Sequence, residues 1–138
     1  MQRVERALLF SATDLVQFVA CEHRTTLELR AVRGEIIRPA GDDPALDVIS
    51  ARGSQHERRY LEHLRKAGAQ IVEIPWAGTT EAGLRLAHDA TTQAMREGAE
   101  VIYQAMLLDG HWRGYTDFLI RTDNPTQLGG YGYEIYDA

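Results

Sequence analysis

Three side chains in this sequence have types and positions that could do chemistry together: Asp117, Asp137 and His56. Asp117 stands in a strand-like run at 112–121, Asp137 closes a second run at 132–137, and His56 sits on a helical stretch. Period-two alternation puts Tyr115, Asp117 and Leu119 on one face of the first run. It likewise groups Tyr133, Ile135 and Asp137, with Glu134 pointing the other way. If the helix carrying His56 covers that face, two carboxylates and an imidazole converge. Such a set suits a hard or borderline divalent cation, Mg²⁺ or Mn²⁺, with positions left for water. Two aspartates on adjacent strands repel unless neutralised, and a cation is the usual remedy. Each residue also has a plainer reading: a cap or arginine ion pair for Asp117, an exposed end for Asp137, a hydrogen-bonded core histidine for His56. His23, His63, His88 and His111 show no comparable partners.

The elements that must position these groups can be read in order. Ser11-Ala12-Thr13-Asp14 is an N-cap sequence with an acid in the first turn. Leu15, Phe18 and Val19 begin an apolar face, and one helix is predicted from there to about Val32, ending at Arg33-Gly34. A turn is predicted at 39–44, with Gly41-Asp42-Asp43, then a helix over about 44–66. On that helix Ile49, Gly53, His56, Tyr60 and Leu64 share one face by helical spacing. Arg52, Arg58, Arg59 and Arg65 lie on the other, as a solvated basic face or a phosphate contact. A short strand at 70–74 stops at Pro75. Thr79-Thr80-Glu81 caps a further helix running to about 97–98, with Leu84, Ala87, Ala94 and Met95 toward the core. Strands follow at about 100–108, 112–121 and 132–137, with Asp109-Gly110 as the hairpin signal between the first two.

Composition bounds the rest. A chain of 138 residues with 44% apolar and 25% charged residues suits one globular domain. The net charge of −5 does not itself suggest a nucleic-acid binder. Cys21 is the single cysteine, so no internal disulfide can form, and its plain reading is a small packed hydrophobe. The sequence has no apolar run long enough to span a bilayer, and the N-terminus is too charged for a signal peptide; a cytoplasmic location is the expectation.

Gly53, His56 and Glu57 spell Gly-x-x-His-Glu on a helix, Gly114 and Asp117 spell Gly-x-x-Asp in a strand, and a later strand ends at Asp137. In order and spacing this resembles the RecB-like nucleases of the PD-(D/E)XK superfamily, over nearly the whole chain. The segment SATDLVQFVACEH resembles the N-terminal helix of bacterial members related to CRISPR-associated nucleases. The resemblance implies an α/β fold, with N-terminal helices followed by a restriction-endonuclease-like mixed sheet core, incomplete at the C-terminus. It implies Mg²⁺- or Mn²⁺-dependent hydrolysis of DNA phosphodiesters, in repair, recombination or nucleic-acid processing. His56, Asp117, Asp137 and the backbone carbonyl of Ala138 would be metal ligands, Asp117 and Asp137 the catalytic pair, and Arg58, Arg59 and Arg65 the DNA contacts. Cys21 would join three later cysteines around a 4Fe-4S cluster in a longer protein, which could also carry a helicase domain. The family's lysine falls two positions after the last aspartate, past Ala138. Residues 1–138 are thus expected to be the N-terminal part of a nuclease domain, inactive alone and with an exposed sheet edge and face. Two other readings remain open: a degenerate nuclease fold that binds nucleic acid or protein without catalysis, and a structural α/β domain.

Overall fold

The structure is a computed structural model that describes residues 1–39 and 44–137, without the side chains of 44–46. The turn expected at 39–44 and the ligand expected at Ala138 therefore lie outside the described residues. Within them the chain is mixed α/β, as expected from the sequence. Strands β1 (Gln2–Val4) and β2 (Ala7–Leu9) form a hairpin, followed by helices α1 (Ala12–Ala20), α2 (Glu22–Val32) and α3 (Pro44–Lys66). Then come β3 (Ile71–Glu73), α4 (Glu81–Arg96), β4 (Val101–Asp109), β5 (Trp112–Thr122) and β6 (Gly132–Tyr136). The main sheet has the order β3-β4-β5-β6, with β3 parallel to β4 and the other pairs antiparallel.

Two helices cover the two faces of this sheet. Leu84, Ala87 and Ala94 of α4 pack on Ile102, Met106 and Leu119. Leu61 of α3, flanked by Tyr60 and Leu64, packs on Val101, Phe118 and Tyr103 on the other side. Phe118, Ile102 and Leu84 are fully buried, and each such side chain contributes about 1.5–3 kcal/mol relative to exposure.

Because β3 ends at Glu73, just before Pro75, the outer edge of β4 has no strand beside it from Gln104 onward. Helix α4 substitutes for that strand. The Met106 N–H donates to Thr91 Oγ1 at 3.1 Å, and the Leu108 N–H donates to His88 Nδ1 at 3.1 Å. The Thr91 hydroxyl in turn donates to the Ala87 carbonyl at 2.9 Å. Buried backbone donors need partners, and these two side chains supply them. His88 is thus a structural acceptor, its ring proton on Nε2, where the sequence offered no partner.

Three other expectations change. The predicted single helix is two, broken at Cys21, whose φ of −164° and ψ of 103° are extended. Leu15, Phe18 and Val19 are exposed rather than inward, and the buried residue of α1 is Asp14. Its carboxylate takes the Ser11 hydroxyl and backbone N–H, both at 2.8 Å, and pairs with the Met1 amino group. Burial alone would raise the Asp14 pKa; bonds from the Met1 amine and from Ser11 outweigh it and hold the carboxyl below its ordinary value. The β4–β5 turn centres on Gly110-His111, one residue later than Asp109-Gly110, with Gly110 at φ +56° and Asp109 paired to Trp112. The β1–β2 hairpin then ties to β5: Phe10 N–H donates to His111 O and Arg113 N–H to Phe10 O, each at 2.8 Å.

Candidate functional site

The β5–β6 register decides where the two aspartates stand. Phe118 faces Tyr136, Leu119 faces Ile135 and Ile120 faces Glu134, so one further step brings Asp137 opposite Asp117. Directly opposed residues of an antiparallel pair point to the same side with neighbouring side chains. Their side is set by their neighbours. Leu119 belongs to the cluster under α4, and Tyr115 lines a cleft with Leu84, Ala87 and Met106. Tyr133, next but one before Ile135, bonds through its hydroxyl to the Ala99 carbonyl just after α4, at 2.7 Å. By alternation Asp117 and Asp137 share the α4 side of the sheet. Asp117 is half-buried and Asp137 exposed.

The helix bearing His56 covers the opposite side, so the expected convergence of three groups does not form there. The turns of α3 that meet the sheet carry Glu57, Tyr60, Leu61 and Leu64, and His56, one residue from Glu57, is rotated into solvent. Ile49 is 65% exposed, so the predicted face does not extend back toward the N-terminal end of α3. Glu57 is the α3 acid that reaches the sheet. It accepts the Tyr103 hydroxyl at 2.7 Å and the Gln104 side-chain amide. Burial, then the bond to Glu57 and its charge, with a smaller contribution from the Asp117 charge, push the Tyr103 phenol up to about 12. Gln104 stands opposite Asp117 at the one position the β4–β5 ladder skips, and its φ of +56° takes its side chain out of the regular alternation, so that it reaches Glu57 of α3 rather than the side of Asp117. A non-glycine residue in that region is held there by its surroundings.

The basic residues also divide. Arg65 pairs with Glu73, which compensates its charge. Arg58 and Arg59 are exposed on α3, across the sheet from the aspartates. Two cations share the strand and parity of Asp117: Arg121, which donates to the Gly98 carbonyl at 2.5 Å, and Arg113, whose guanidinium lies 5.5 Å from the Tyr115 ring centre. The sequence carried a signal for it: Arg113, Tyr115 and Asp117 fall at steps of two in one strand.

Two groups implied by the resemblance can be tested against these residues. For a divalent cation, the Asp117–Asp137 pair supplies the right donor type, since Mg²⁺ is commonly held by one or two carboxylates with water filling its other positions. Among the described residues no three His, Cys, Asp or Glu side chains stand together as a fuller cage. For an iron–sulfur cluster, residues 1–138 supply one thiolate, Cys21, exposed at the α1–α2 junction, and the other three would come from a longer protein. Among the described residues no helix is long and apolar enough to cross a membrane. No protein-family model, curated protein or solved structure matches this chain.

Proposed function

We propose that this chain is part of a metal-dependent DNA nuclease domain of the RecB-like kind, with Asp117 and Asp137 as its metal-holding pair. The observation that supports the reading is the β5–β6 register, which pairs Phe118 with Tyr136 and, continued one step, would set Asp137 opposite Asp117. A bound Mg²⁺ or Mn²⁺ would neutralise the developing charge on a phosphodiester and make water a stronger nucleophile. Around Asp117 the chain's own residues fix the backbone. Leu119, buried under α4, fixes the β5 backbone two residues from Asp117. Glu57 anchors Gln104 and Tyr103 beside the gap in the ladder. His56 and the Ala138 carbonyl remain proposed ligands by resemblance alone, and Arg58 and Arg59 proposed contacts to DNA.

The test is calorimetric titration of Mn²⁺ into wild type, Asp117→Asn, Asp137→Asn and His56→Ala. A binding heat in wild type that vanishes in both aspartate variants supports the reading. Equal heats in wild type and Asp117→Asn sink it. If His56→Ala binds as wild type does, the imidazole is not a ligand. The exposure of Arg58 and Arg59 on α3 suits a second reading, a non-catalytic nucleic-acid-binding module. That reading predicts DNA affinity unaffected by chelator and by Asp117→Asn.

A further inference from the structure

On the α4 side of the sheet, under Tyr115 of β5, lies a cleft of about 280 Å³ lined by Ile74, Leu84, Ala87, Met106, Trp76 and Tyr115. Its rim is aromatic and open. Trp76 is 69% exposed and Tyr115 43%, with ring centres 5.9 Å apart and planes inclined by 37°. Large aromatic rings are costly to leave in water, and here two of them stand together, with Tyr115 two residues before Asp117 in β5. Arg113 continues the row, stacked over Tyr115. Its Nε is buried with no hydrogen-bond partner among the described residues. Arg113, Tyr115 and Asp117 follow at two-residue steps of roughly 7 Å, comparable to one nucleotide of an extended strand.

We propose that Trp76, Tyr115 and Arg113 form a subsite for one unstacked base and its phosphate, where a single-stranded nucleic acid approaches Asp117 and Asp137. The assignment rests on the nuclease reading for its direction, and names that site's substrate as single-stranded. Base faces are available for stacking only outside a duplex, and aromatic platforms beside a cation are how proteins hold them without reading sequence. The Arg113 guanidinium supplies charge complementarity to phosphate. The platform lies across the sheet from Arg58 and Arg59, so the strand recognised here does not need them.

The experiment uses fluorescence in chelator, so that binding is read apart from metal and cleavage. The sequence has two tryptophans, so Trp112→Phe leaves Trp76 as the sole reporter. A short dT oligomer, the matching U oligomer and a blunt duplex are titrated into this protein. Parallel anisotropy titrations with labelled oligomer cover Trp76→Ala, Tyr115→Leu and Arg113→Gln, with circular dichroism to confirm that each folds. The expected result is quenching by dT. Kd should be about tenfold weaker in Trp76→Ala and Tyr115→Leu. The salt slope should be smaller by about 0.7 in Arg113→Gln. Equal quenching by U supports the same subsite without sugar discrimination. Unchanged dT affinity in a folded Trp76→Ala overturns the proposal, as does a duplex bound as tightly as dT. Loss of the Mn²⁺ heat with dT quenching retained would remove the nuclease reading and leave the platform standing, so the two failures are distinct.

Discussion

Thr91→Val tests the claim that α4 acts as a surrogate strand for the open edge of β4. The substitution keeps the branched shape and removes the one oxygen that meets the Met106 N–H at 3.1 Å. Thr91 is fully buried, so water does not reach the orphaned donor in the native fold. Leaving a buried N–H unpartnered costs about 1–3 kcal/mol. The added methyl returns part of that in an apolar setting, for a net loss of about 1–2 kcal/mol. At about 2.1 cal/mol/K of unfolding entropy per residue, this chain has about 0.3 kcal/mol/K, so Tm should fall by about 3–7 °C. Thr91→Ser loses a buried methyl at a similar cost, about 0.8 kcal/mol, so Tm alone does not separate the causes. Amide hydrogen exchange does. The Met106 amide should exchange faster in Thr91→Val and stay protected in Thr91→Ser. Thr92→Val is the control, since that hydroxyl bonds only to the His88 carbonyl of its own helix. A Thr91→Val protein of wild-type stability with a protected Met106 amide would refute the surrogate-strand account.

Other predictions follow from single contacts. Tyr103 should ionise near pH 12 by ultraviolet titration, and Glu57→Gln should bring its midpoint down. Because its folded pKa is raised, its contribution to stability is complete below the ordinary tyrosine pKa and disappears as pH climbs toward 12. Gly83→Ala would place a Cβ 2.0 Å from the Ala77 carbonyl oxygen, so the loop after β3 must shift. The expected cost is about 1–3 kcal/mol in urea unfolding, accompanied by a changed Trp76 emission. Asp14 has a depressed pKa, so its contribution is present above the ordinary carboxylate value and lost as pH falls below it. Asp14→Asn should therefore lower Tm at pH 7, and the gap to wild type should narrow at pH 3.

The strands and helices from Glu81 onward were legible because each carries a local signal. Thr80 does cap α4, accepting the Gly83 N–H at 3.2 Å, and Leu84, Ala87 and Ala94 do face the core. Asp117 and Asp137 could be assigned one parity from alternation, but which helix covers it depends on how the chain crosses the sheet, and no local pattern records that. His56 was misplaced because its helical face was drawn through Ile49 and Gly53, while the buried turns begin only at Glu57. The β1–β2 hairpin carries no local signal, because its two-residue turn, Glu5-Arg6, has no glycine or asparagine although Glu5 takes a φ of +52°. Nothing in the residue types at 20–22 marks the break between α1 and α2. The cleft under Trp76 depends on a contact between the loop after β3 and Tyr115, 39 positions apart in sequence by the difference of their numbers.

The α1–α2 pair gives the molecule an amphiphile's behaviour. Leu15, Val16, Phe18 and Val19 stand between 45% and 80% exposed, with Leu27 and Trp112 also exposed. Attraction between such surfaces is largely entropic near room temperature and is strengthened by excluded salts such as sulfate. Copies of this chain should therefore stick to one another more when warm and salted, and separate when cold, dilute or in mild urea. The side of the fold that carries this apolar skin thus sets the protein's colloidal character, while the sheet and its aspartates set its chemistry.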